Sequence, residues 1–359
     1  MGASGTGGPR PDRVIAPYDD GTAVLAVDVG ATRTRLATLV GGRIVERAEH
    51  LTADLAGESD LPAWIAAAGI DLVGRTRFAP AAVGVGAAAA IGLDGTVLAA
   101  RPFGLPAGDR LGDALRDALG VPVVLDNDAN LAARAEHAIG AAAGSQAAAV
   151  ITIGTNIGLG LVLDGRVYRG ARGAAGEAGL LLVPAADRLA AGSDGRLAAG
   201  SDGRLVDAGR LGGGRSDAPG GYAWIEELVG GAALEALARE LVGLSPGADR
   251  PSLTDPRAAA AAHLAVEGWA LLVADLTSVL DLDLVVLTGR VVEDATPLLD
   301  RLRTRVAELV AWPPEIRVGA LGPDAELLGA DLLARATLAS RAHETSGPAL
   351  AGSTSGGNR

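Results

Sequence analysis

Four polar side chains fall within the five positions 126–130, directly after an apolar run at 121–125. A helix N-cap accounts for one of them, because an Asn or Asp oxygen there accepts a backbone N–H that the helix leaves unpaired. It does not account for the others. A carboxylate at the end of a buried strand, close to a substrate hydroxyl, could act as a general base, which is typically worth about 10²- to 10⁴-fold in rate. We assign this role to Asp128.

Two strand–turn–strand segments carry glycine and threonine at their turns. The first turns at 28–32, with the pattern D-x-G-x-T, and the second turns at Gly154-Thr155. Either turn alone also fits an ordinary β-turn, since Asp, Gly and Thr are common turn formers. Two copies suggest a duplicated fold in which two phosphate loops face a shared cleft. A glycine-spaced loop after the second hairpin adds a lone glutamate, Glu177, and the whole set predicts a phosphotransferase.

The rest of the chain must position these groups, and it alternates short apolar strands with helical patterns. Helices are predicted over 61–73, 107–119, 129–140, 222–242, 256–280, 294–310 and 324–336, the fourth of them interrupted at 230–231. Such alternation predicts an α/β fold with a largely parallel sheet in each half. We expect an N-terminal lobe over 22–126, joined by the C-terminal helix 324–340, and a C-terminal lobe over 127–323.

Three stretches lack these patterns. Residues 1–21 are rich in Gly, Pro and Asp and predict a disordered tail, which we expect to be too short for a DNA-reading helix-turn-helix. Residues 341–359 predict a second disordered tail. The third stretch, 184–221, contains the tandem repeat R-L-A-A-G-S-D-G at 188–203. We interpret this stretch as a mobile surface insertion.

Composition excludes several classes of site. The 31 basic residues are all arginine, so neither a Walker-type P-loop lysine nor a Schiff-base lysine exists in this sequence. There is no cysteine, which excludes disulfides, thiolate catalysis and cysteine-bound zinc, and the four histidines are scattered. The formal charge of −12 argues against a nucleic-acid partner, because contacts to phosphate supply most of that affinity. We see no apolar run of about 18 residues and no signal peptide, so we expect a cytoplasmic protein without a membrane partner.

These residues resemble motifs of the ROK family of repressors, open reading frames and sugar kinases. The segment 27–35 resembles its first phosphate motif, and 125–130 resembles its N-D-x-N catalytic segment. The segment 151–177 follows the signature G-T-G-I-G-G-G…D-G-x-x-x-x-G-x-x-G-x-x-G-E-x-G, while 285–291 and 321–330 resemble the nucleotide-side segments. The resemblance covers about 23–340, which is most of the chain.

The resemblance implies a two-lobed hexokinase–actin-like ATPase (ribonuclease H-like) fold with a cleft between the lobes, in a homodimer. It implies transfer of the γ-phosphoryl group of ATP, with Mg²⁺, to a hydroxyl of a small-molecule sugar. On the nucleotide side the matching positions are Asp28, Gly30, Thr32, Arg33, Gly154, Thr155 and Gly289. On the sugar side they are Asn127, Asp128 as the base, Glu177 and Glu226.

The sequence also departs from the family pattern. The family's zinc histidine is Leu180 here and its cysteine cluster is absent, so no zinc or other protein-bound metal is expected. Asn156 and Leu159 replace glycines of the phosphate loop, Ala31 replaces another, and Arg290 replaces a glycine near the adenosine. A side chain where the backbone must approach phosphate could weaken ATP binding.

Two functions therefore stay open. The first is an ATP-dependent kinase that acts on a hexose or an N-acylhexosamine. The second is a sugar-binding sensor of the same fold that has lost phosphoryl transfer. Asp128 and the two Gly-Thr loops favour the enzyme, whereas Asn156, Arg290 and Leu180 favour the sensor.

Overall fold

The computed structural model describes residues 21–55, 61–99, 107–185, 222–245, 249 and 251–345. Its strands are β1 (Ala23–Val29), β2 (Arg33–Val40), β3 (Arg43–Leu51), β4 (Pro80–Ala87), β5 (Ala90–Ile91), β6 (Val97–Ala99), β7 (Val123–Asn127), β8 (Ala147–Ile153), β9 (Ile157–Leu163), β10 (Arg166–Tyr168), β11 (Leu182–Pro184), β12 (Tyr222–Trp224), β13 (Leu284–Thr288) and β14 (Glu315–Val318). Its α-helices are α1 (Thr52–Leu55), α2 (Leu61–Gly74), α3 (Leu111–Leu119), α4 (Asp128–Ile139), α5 (Ile225–Val229), α6 (Gly231–Val242), α7 (Ala259–Leu280), α8 (Arg290–Ala295), α9 (Leu299–Leu309) and α10 (Ala325–Thr345).

Two five-stranded sheets repeat one plan, as the predicted duplication requires. The first has the order β3-β2-β1-β4-β7 and the second the order β10-β9-β8-β13-β14. In each sheet the first three strands are antiparallel and the last two join in parallel. The sheets are therefore mixed and not largely parallel, because each lobe begins with hairpins. The result is a two-lobed α/β fold, as the sequence predicts.

Helices α4 and α10 pack against each other between the two sheets. Helix α10 lies directly on β4, since a Cβ added to Gly84 would come 2.1 Å from the carbonyl oxygen of Ala330. Helix α4 lies on β9 in the same way, because a Cβ at Gly160 would come 2.3 Å from the carbonyl oxygen of Ala129. Glycine at these positions lets backbone meet backbone. The start of α4, which carries Asp128, is thereby held against both lobes.

Helix α7 forms the centre of the larger core, in the second lobe. The expectation that no apolar run is long enough to span a membrane is corrected here: by length and composition the segment 256–280 could cross one, but 67% of its most apolar stretch is buried. Its Trp269 is buried and donates its indole N–H to the carbonyl oxygen of Val229 at 3.0 Å. The helix predicted over 256–280 is confirmed over Ala259–Leu280, and its burial accounts for its apolar composition.

Several predicted boundaries are corrected. Residues 222–224 were expected to be helical, but they form β12, because β11 offers an antiparallel partner. The predicted helix 294–310 is divided into α8 and α9 by a 3₁₀ turn, Thr296–Leu298, around Pro297. Helix α10 continues through Thr345, so 341–345 do not belong to a disordered tail. Residues 1–20 and 346–359 of the tails and 186–221 of the insertion lie outside the described ranges, and the predictions made for them remain predictions.

Candidate active site

A cleft of about 510 Å³ lies between the two sheets. It brings together all of the predicted site residues, although the sequence distributes them from position 28 to position 289. On the nucleotide side these are Asp28, Gly30, Thr32, Arg33, Gly154, Thr155 and Gly289, and on the sugar side Asn127, Asp128, Glu177 and Glu226. The cleft also contains residues that were not predicted from the sequence. The most important are Arg35 and its neighbour Glu326.

Asp128 is the first residue of α4, directly after β7. The helix is capped by Asn127, whose Oδ1 accepts the backbone N–H of Asn130 at 3.2 Å. The side-chain amide of Asn127 donates to the carbonyl oxygen of Ala89 at 3.1 Å, so this residue is fixed at both ends. Oδ1 of Asp128 accepts the backbone N–H of Ala129 at 2.8 Å. Since Asn127 caps the helix, Asp128 is not needed for that task and lines the cleft.

The surroundings of Asp128 raise its pKa from 3.8 to about 7. Burial is the largest cause, and the negative charges of Asp28 and Glu177 add to it, while the N–H of Ala129 opposes the shift. Burial disfavours the charged form of a carboxyl group, and like charges nearby do the same. A carboxylate with a pKa near neutral pH is suited to accept a proton and release it again.

The two Gly-Thr turns face each other across the cleft. The hydroxyl oxygens of Thr32 and Thr155 lie 2.9 Å apart, within hydrogen-bond distance. The first turn is held by Thr52, which donates from its hydroxyl to the carbonyl oxygen of Gly30 at 2.8 Å and from its backbone to that of Thr32 at 2.9 Å. The second is held by the start of α6, where the N–H of Ala232 donates to the carbonyl oxygen of Thr155 at 2.9 Å.

Open backbone lies on the cleft side of the second turn. A Cβ added to Gly154 would meet no atom within 4 Å, so this peptide faces free space. Gly289, at the start of α8, has φ of 99°, a conformation that favours glycine. Hydroxyls, exposed backbone and the guanidinium groups of Arg33, Arg35 and Arg290 contribute to this part of the lining, beside the carboxyl groups of Glu49 and Glu293. The hydroxyls, the backbone and the guanidinium groups fit a polyphosphate.

Arg35 joins the first phosphate turn to the start of α10. Its Nη2 lies 2.7 Å from Oδ2 of Asp28 and 3.2 Å from Oε2 of Glu326, and its Nη1 donates to the carbonyl oxygen of Pro323. Burial raises the pKa of Asp28, although Arg35 opposes the shift. Burial and the charge of Asp28 raise the pKa of Glu326 to about 7, again against Arg35. One guanidinium thus serves two buried carboxyl groups.

The hairpin itself carries the signal that could have identified Arg35. Arg35 on β2 is the direct cross-strand partner of Asp28 on β1. Residues opposite each other in an antiparallel pair are close enough for an ion pair. No such signal exists for Glu326, which reaches Arg35 across 291 positions of chain.

The side of the cleft that the sequence predicts to bind sugar is built by the loop after β10 and by α5. Gly176 has φ of 94°, and a Cβ there would come 2.1 Å from the carbonyl oxygen of Leu159, so the loop turns tightly before Glu177. Glu226 approaches the same loop, since a Cβ on Gly179 would come 2.5 Å from Oε2 of Glu226. Leu180, at the position of the family's zinc histidine, also lines the cleft.

Within the described residues, no group of three or more His, Cys, Asp or Glu side chains is arranged to hold a metal ion. A magnesium ion that accompanies a nucleotide needs no such group, because phosphate oxygens and water supply most of its ligands. The absence of zinc stays a prediction.

Comparison with known proteins decides the family. The pattern of the ROK family matches residues 24–337. The chain belongs to the ROK family. It is 31% identical over 340 residues to the bifunctional enzyme NanE/NanK of Brucella melitensis biotype 1, which covers 90% of this chain and 56% of that protein. This ROK chain therefore spans about half the length of the curated relatives it matches first.

Solved structures of ROK proteins share the fold. The ROK family glucokinase from Streptomyces griseus, in complex with glucose and AMPPNP, superposes with a TM-score of 0.69 and 25% identity over 88% of this chain and 99% of that one. The ROK hexokinase from Thermus thermophilus superposes with a TM-score of 0.64 and 27% identity over 89% and 100%. Both the predicted family and the two-lobed kinase fold are thus confirmed for this ROK chain.

Proposed function

We propose that this ROK protein is an ATP-dependent sugar kinase that phosphorylates a hydroxyl of a hexose or an N-acylhexosamine. One observation carries the proposal: the carboxylate of Asp128 lines the same cleft as the two Gly-Thr turns, whose threonine hydroxyls lie 2.9 Å apart. A general base and a site for phosphates must share one cavity for phosphoryl transfer to an alcohol. The similarity to a glucokinase with bound glucose and AMPPNP supports the same activity.

In this proposal each residue has a role that its position suggests. Asp128 accepts the proton of the sugar hydroxyl as that oxygen bonds to the γ-phosphorus of ATP, while the bond from this phosphorus to the bridging oxygen breaks and ADP leaves. Asn127, Glu177 and Glu226 hold the other hydroxyls and so orient the sugar, which is where most of the catalytic advantage of a closed cleft arises. When bound, ATP with magnesium supplies the phosphoryl group and neutralises part of its charge.

The nucleotide side has its own set of roles. Gly30 and Gly154 let backbone approach the phosphates, Thr32 and Thr155 donate hydroxyl hydrogen bonds, and Arg33 adds a positive charge. Asp28 and Gly289 line the nucleotide side, where the positive charge of Arg35 compensates the carboxylates of Asp28 and Glu326. We place the protein in the cytoplasm as a homodimer without zinc and without a nucleic-acid partner, in line with its composition and its family.

The first experiment measures ADP release with MgATP across a panel of hexoses and N-acetylhexosamines, with Asp128→Asn as the matched control. Turnover of a sugar that disappears in the variant supports the kinase and names its substrate. If no sugar is turned over while calorimetry still detects sugar binding, the kinase proposal fails.

The second candidate is the sugar sensor. It is favoured by Asn156, an exposed side chain at a phosphate-loop glycine position, and by Arg290, which contributes an exposed side chain near the predicted adenosine side. The same experiment separates the two candidates, because a sensor binds the sugar without consuming ATP.

A further inference from the structure

Arg169 lies at the edge of the second sheet, directly after β10, but its side chain reaches the first lobe. Its Nη2 donates to the carbonyl oxygens of Ile91 at 3.2 Å and Gly92 at 3.3 Å. Its Nε lies 3.2 Å from Oδ1 of Asp126 in an ion pair that lacks hydrogen-bond geometry, and the two side chains are 24% and 2% exposed. The guanidinium therefore joins the second lobe to two separate elements of the first.

Asp126 is buried and immediately precedes the proposed sugar-binding and catalytic pair. Besides facing Arg169, its Oδ1 accepts the backbone N–H of Asn127 at 2.8 Å and the side-chain amide of Asn130 at 3.0 Å. These bonds fix the backbone of Asn127 and the first turn of α4. Any shift of the Asp126 carboxylate is thus transmitted to the residues on which sugar binding is proposed to depend.

The other end of the Arg169 contact is equally close to the cleft. Ile91 follows the segment 88–90 that lines the cavity, and the side chain of Asn127 donates to Ala89 in that segment. Gly173, in the loop after Arg169, has φ of 97°, and a Cβ there would come 2.1 Å from the carbonyl oxygen of Ile91. The loop that carries Glu177 therefore rests on the same backbone to which Arg169 donates.

A second cation, Arg134, interacts electrostatically with this cluster. Burial lowers the pKa of Arg134, and the charge of Arg169 lowers it further, while Asp126 opposes both effects. Two guanidinium groups therefore share one buried carboxylate. Removing the side chain of Arg169 or of Asp126 therefore changes the net charge around β7 and also the hydrogen bonds that this side chain makes there.

We propose that Arg169 is a positioning residue that sets the sugar side of the cleft by tying Asp126 to the carbonyl oxygens of Ile91 and Gly92. The relative positions of three parts of the cleft then depend on this one side chain. They are the Asn127–Asp128 pair, the wall at 88–90 and the loop that bears Glu177. This inference rests on the proposed function, since it concerns sugar binding in the same cleft. Arginine suits the task because its planar fork offers donors in several directions, whereas lysine presents a single ammonium.

The experiment compares Arg169→Met with Arg166→Met. Arg166 is exposed on β10, the strand that Arg169 follows, so the control removes the same charge three positions away. We expect Arg169→Met to raise the KM for the sugar about tenfold or more and to lower kcat, while the KM for ATP changes less than about twofold. Arg166→Met should change none of the three. Arg169→Lys should recover part of the sugar KM, because an ammonium can meet Asp126 but not the two carbonyl oxygens as well.

A double-variant cycle tests whether the effect passes through Asp126. If it does, Asp126→Asn combined with Arg169→Met raises the sugar KM no more than the worse single variant, since interacting residues are not additive. Thermal unfolding is recorded for each protein. A purely architectural role would lower the folded fraction and kcat together and leave the sugar KM unchanged, and that result would overturn the proposal.

The remaining outcomes are also decisive. Equal sugar KM values for Arg169→Met, Arg166→Met and the parent protein would overturn the positioning role while leaving the kinase intact. If the parent protein turns over no sugar, the kinase proposal fails. The positioning role is then tested by sugar affinity from calorimetry, which Arg169→Met should lower by the same tenfold factor. A parent protein that binds no sugar would overturn both. Should Arg169→Met fail to fold, Arg169→Lys carries the same comparison against Arg166→Lys.

Discussion

The hydroxyl oxygens of Thr32 and Thr155 lie 2.9 Å apart although 123 positions of sequence separate the two residues. Each belongs to the turn of one hairpin, and the hairpins belong to different sheets. This contact brings the two proposed phosphate turns to one place in the cleft. A ligand that bears phosphate would meet both hydroxyls together.

This arrangement predicts the effect of removing one hydroxyl. Thr32→Val should raise the KM for ATP about tenfold or more, because a hydrogen bond to a charged group is typically worth about 1.5 kcal/mol or more. Sugar affinity, measured by calorimetry without nucleotide, should stay unchanged. Thr32→Ser keeps the hydroxyl and is the matched control. An unchanged ATP KM in the valine variant would remove Thr32 from the nucleotide site.

Asp128→Asn should lower kcat about 10²- to 10⁴-fold, which is the usual contribution of a general base. Sugar binding should survive, because the amide keeps a hydrogen-bonding oxygen at the same place. Steady-state ADP release and calorimetry together check both statements. Residual turnover within tenfold of the parent protein would exclude Asp128 as the base.

The pH dependence follows from the pKa of about 7 for Asp128. A base must be ionised, so kcat/KM for the sugar should rise about tenfold per pH unit below that value and level off above it. The measurement is a pH series with sugar well below its KM and saturating ATP. A profile that is flat between pH 5.5 and 7, or that falls as pH rises, would contradict the assignment.

The same shift predicts that Asp128 reduces stability at high pH. Its pKa is about 7 in the folded protein against 3.8 for an ordinary Asp, so folding becomes less favourable as pH rises from about 4 through 7. Asp128→Asn lacks this loss, and its melting temperature should exceed that of the parent protein by about 2 °C or more at pH 8. The difference should shrink towards pH 4. Thermal scans at both pH values test it, and equal differences would refute the linkage.

Arg35→Met should destabilise the fold more at pH 8 than at pH 6. Without the guanidinium, Asp28 and Glu326 remain close together with no shared cation, and breaking such a partly buried cluster typically costs about 2–4 kcal/mol. At lower pH the loss is relieved, because both carboxyl groups already have raised pKa values and can take up protons. Chemical denaturation at the two pH values measures it, with Arg43→Met on the exposed edge strand β3 as the control.

Local patterns in the sequence were enough to identify the family, the two hairpins, the capped start of α4 and those cleft residues that were predicted. Each of these depends on neighbours within about a dozen positions: alternating apolar residues, a turn with glycine, or an Asn before a helix. The contact of Arg35 could also have been predicted, because the register of the hairpin places Arg35 opposite Asp28. The segment 222–224 was misassigned because its partner strand β11 lies beyond the insertion, and a strand is stabilised by its partner.

The tertiary structure alone decided which charges meet. Glu326 joins Arg35 from 291 positions away, and Arg169 reaches Ile91 across 78. Neither pair has a local signature, because the packing of α4 and α10 between the sheets determines where these side chains come together. The pKa of Asp128 has the same origin, since burial and the charges of Asp28 and Glu177 exist only in the folded cleft. The sequence determined which groups are available for chemistry, and the approach of the two lobes determined how far each group is shifted from its ordinary behaviour.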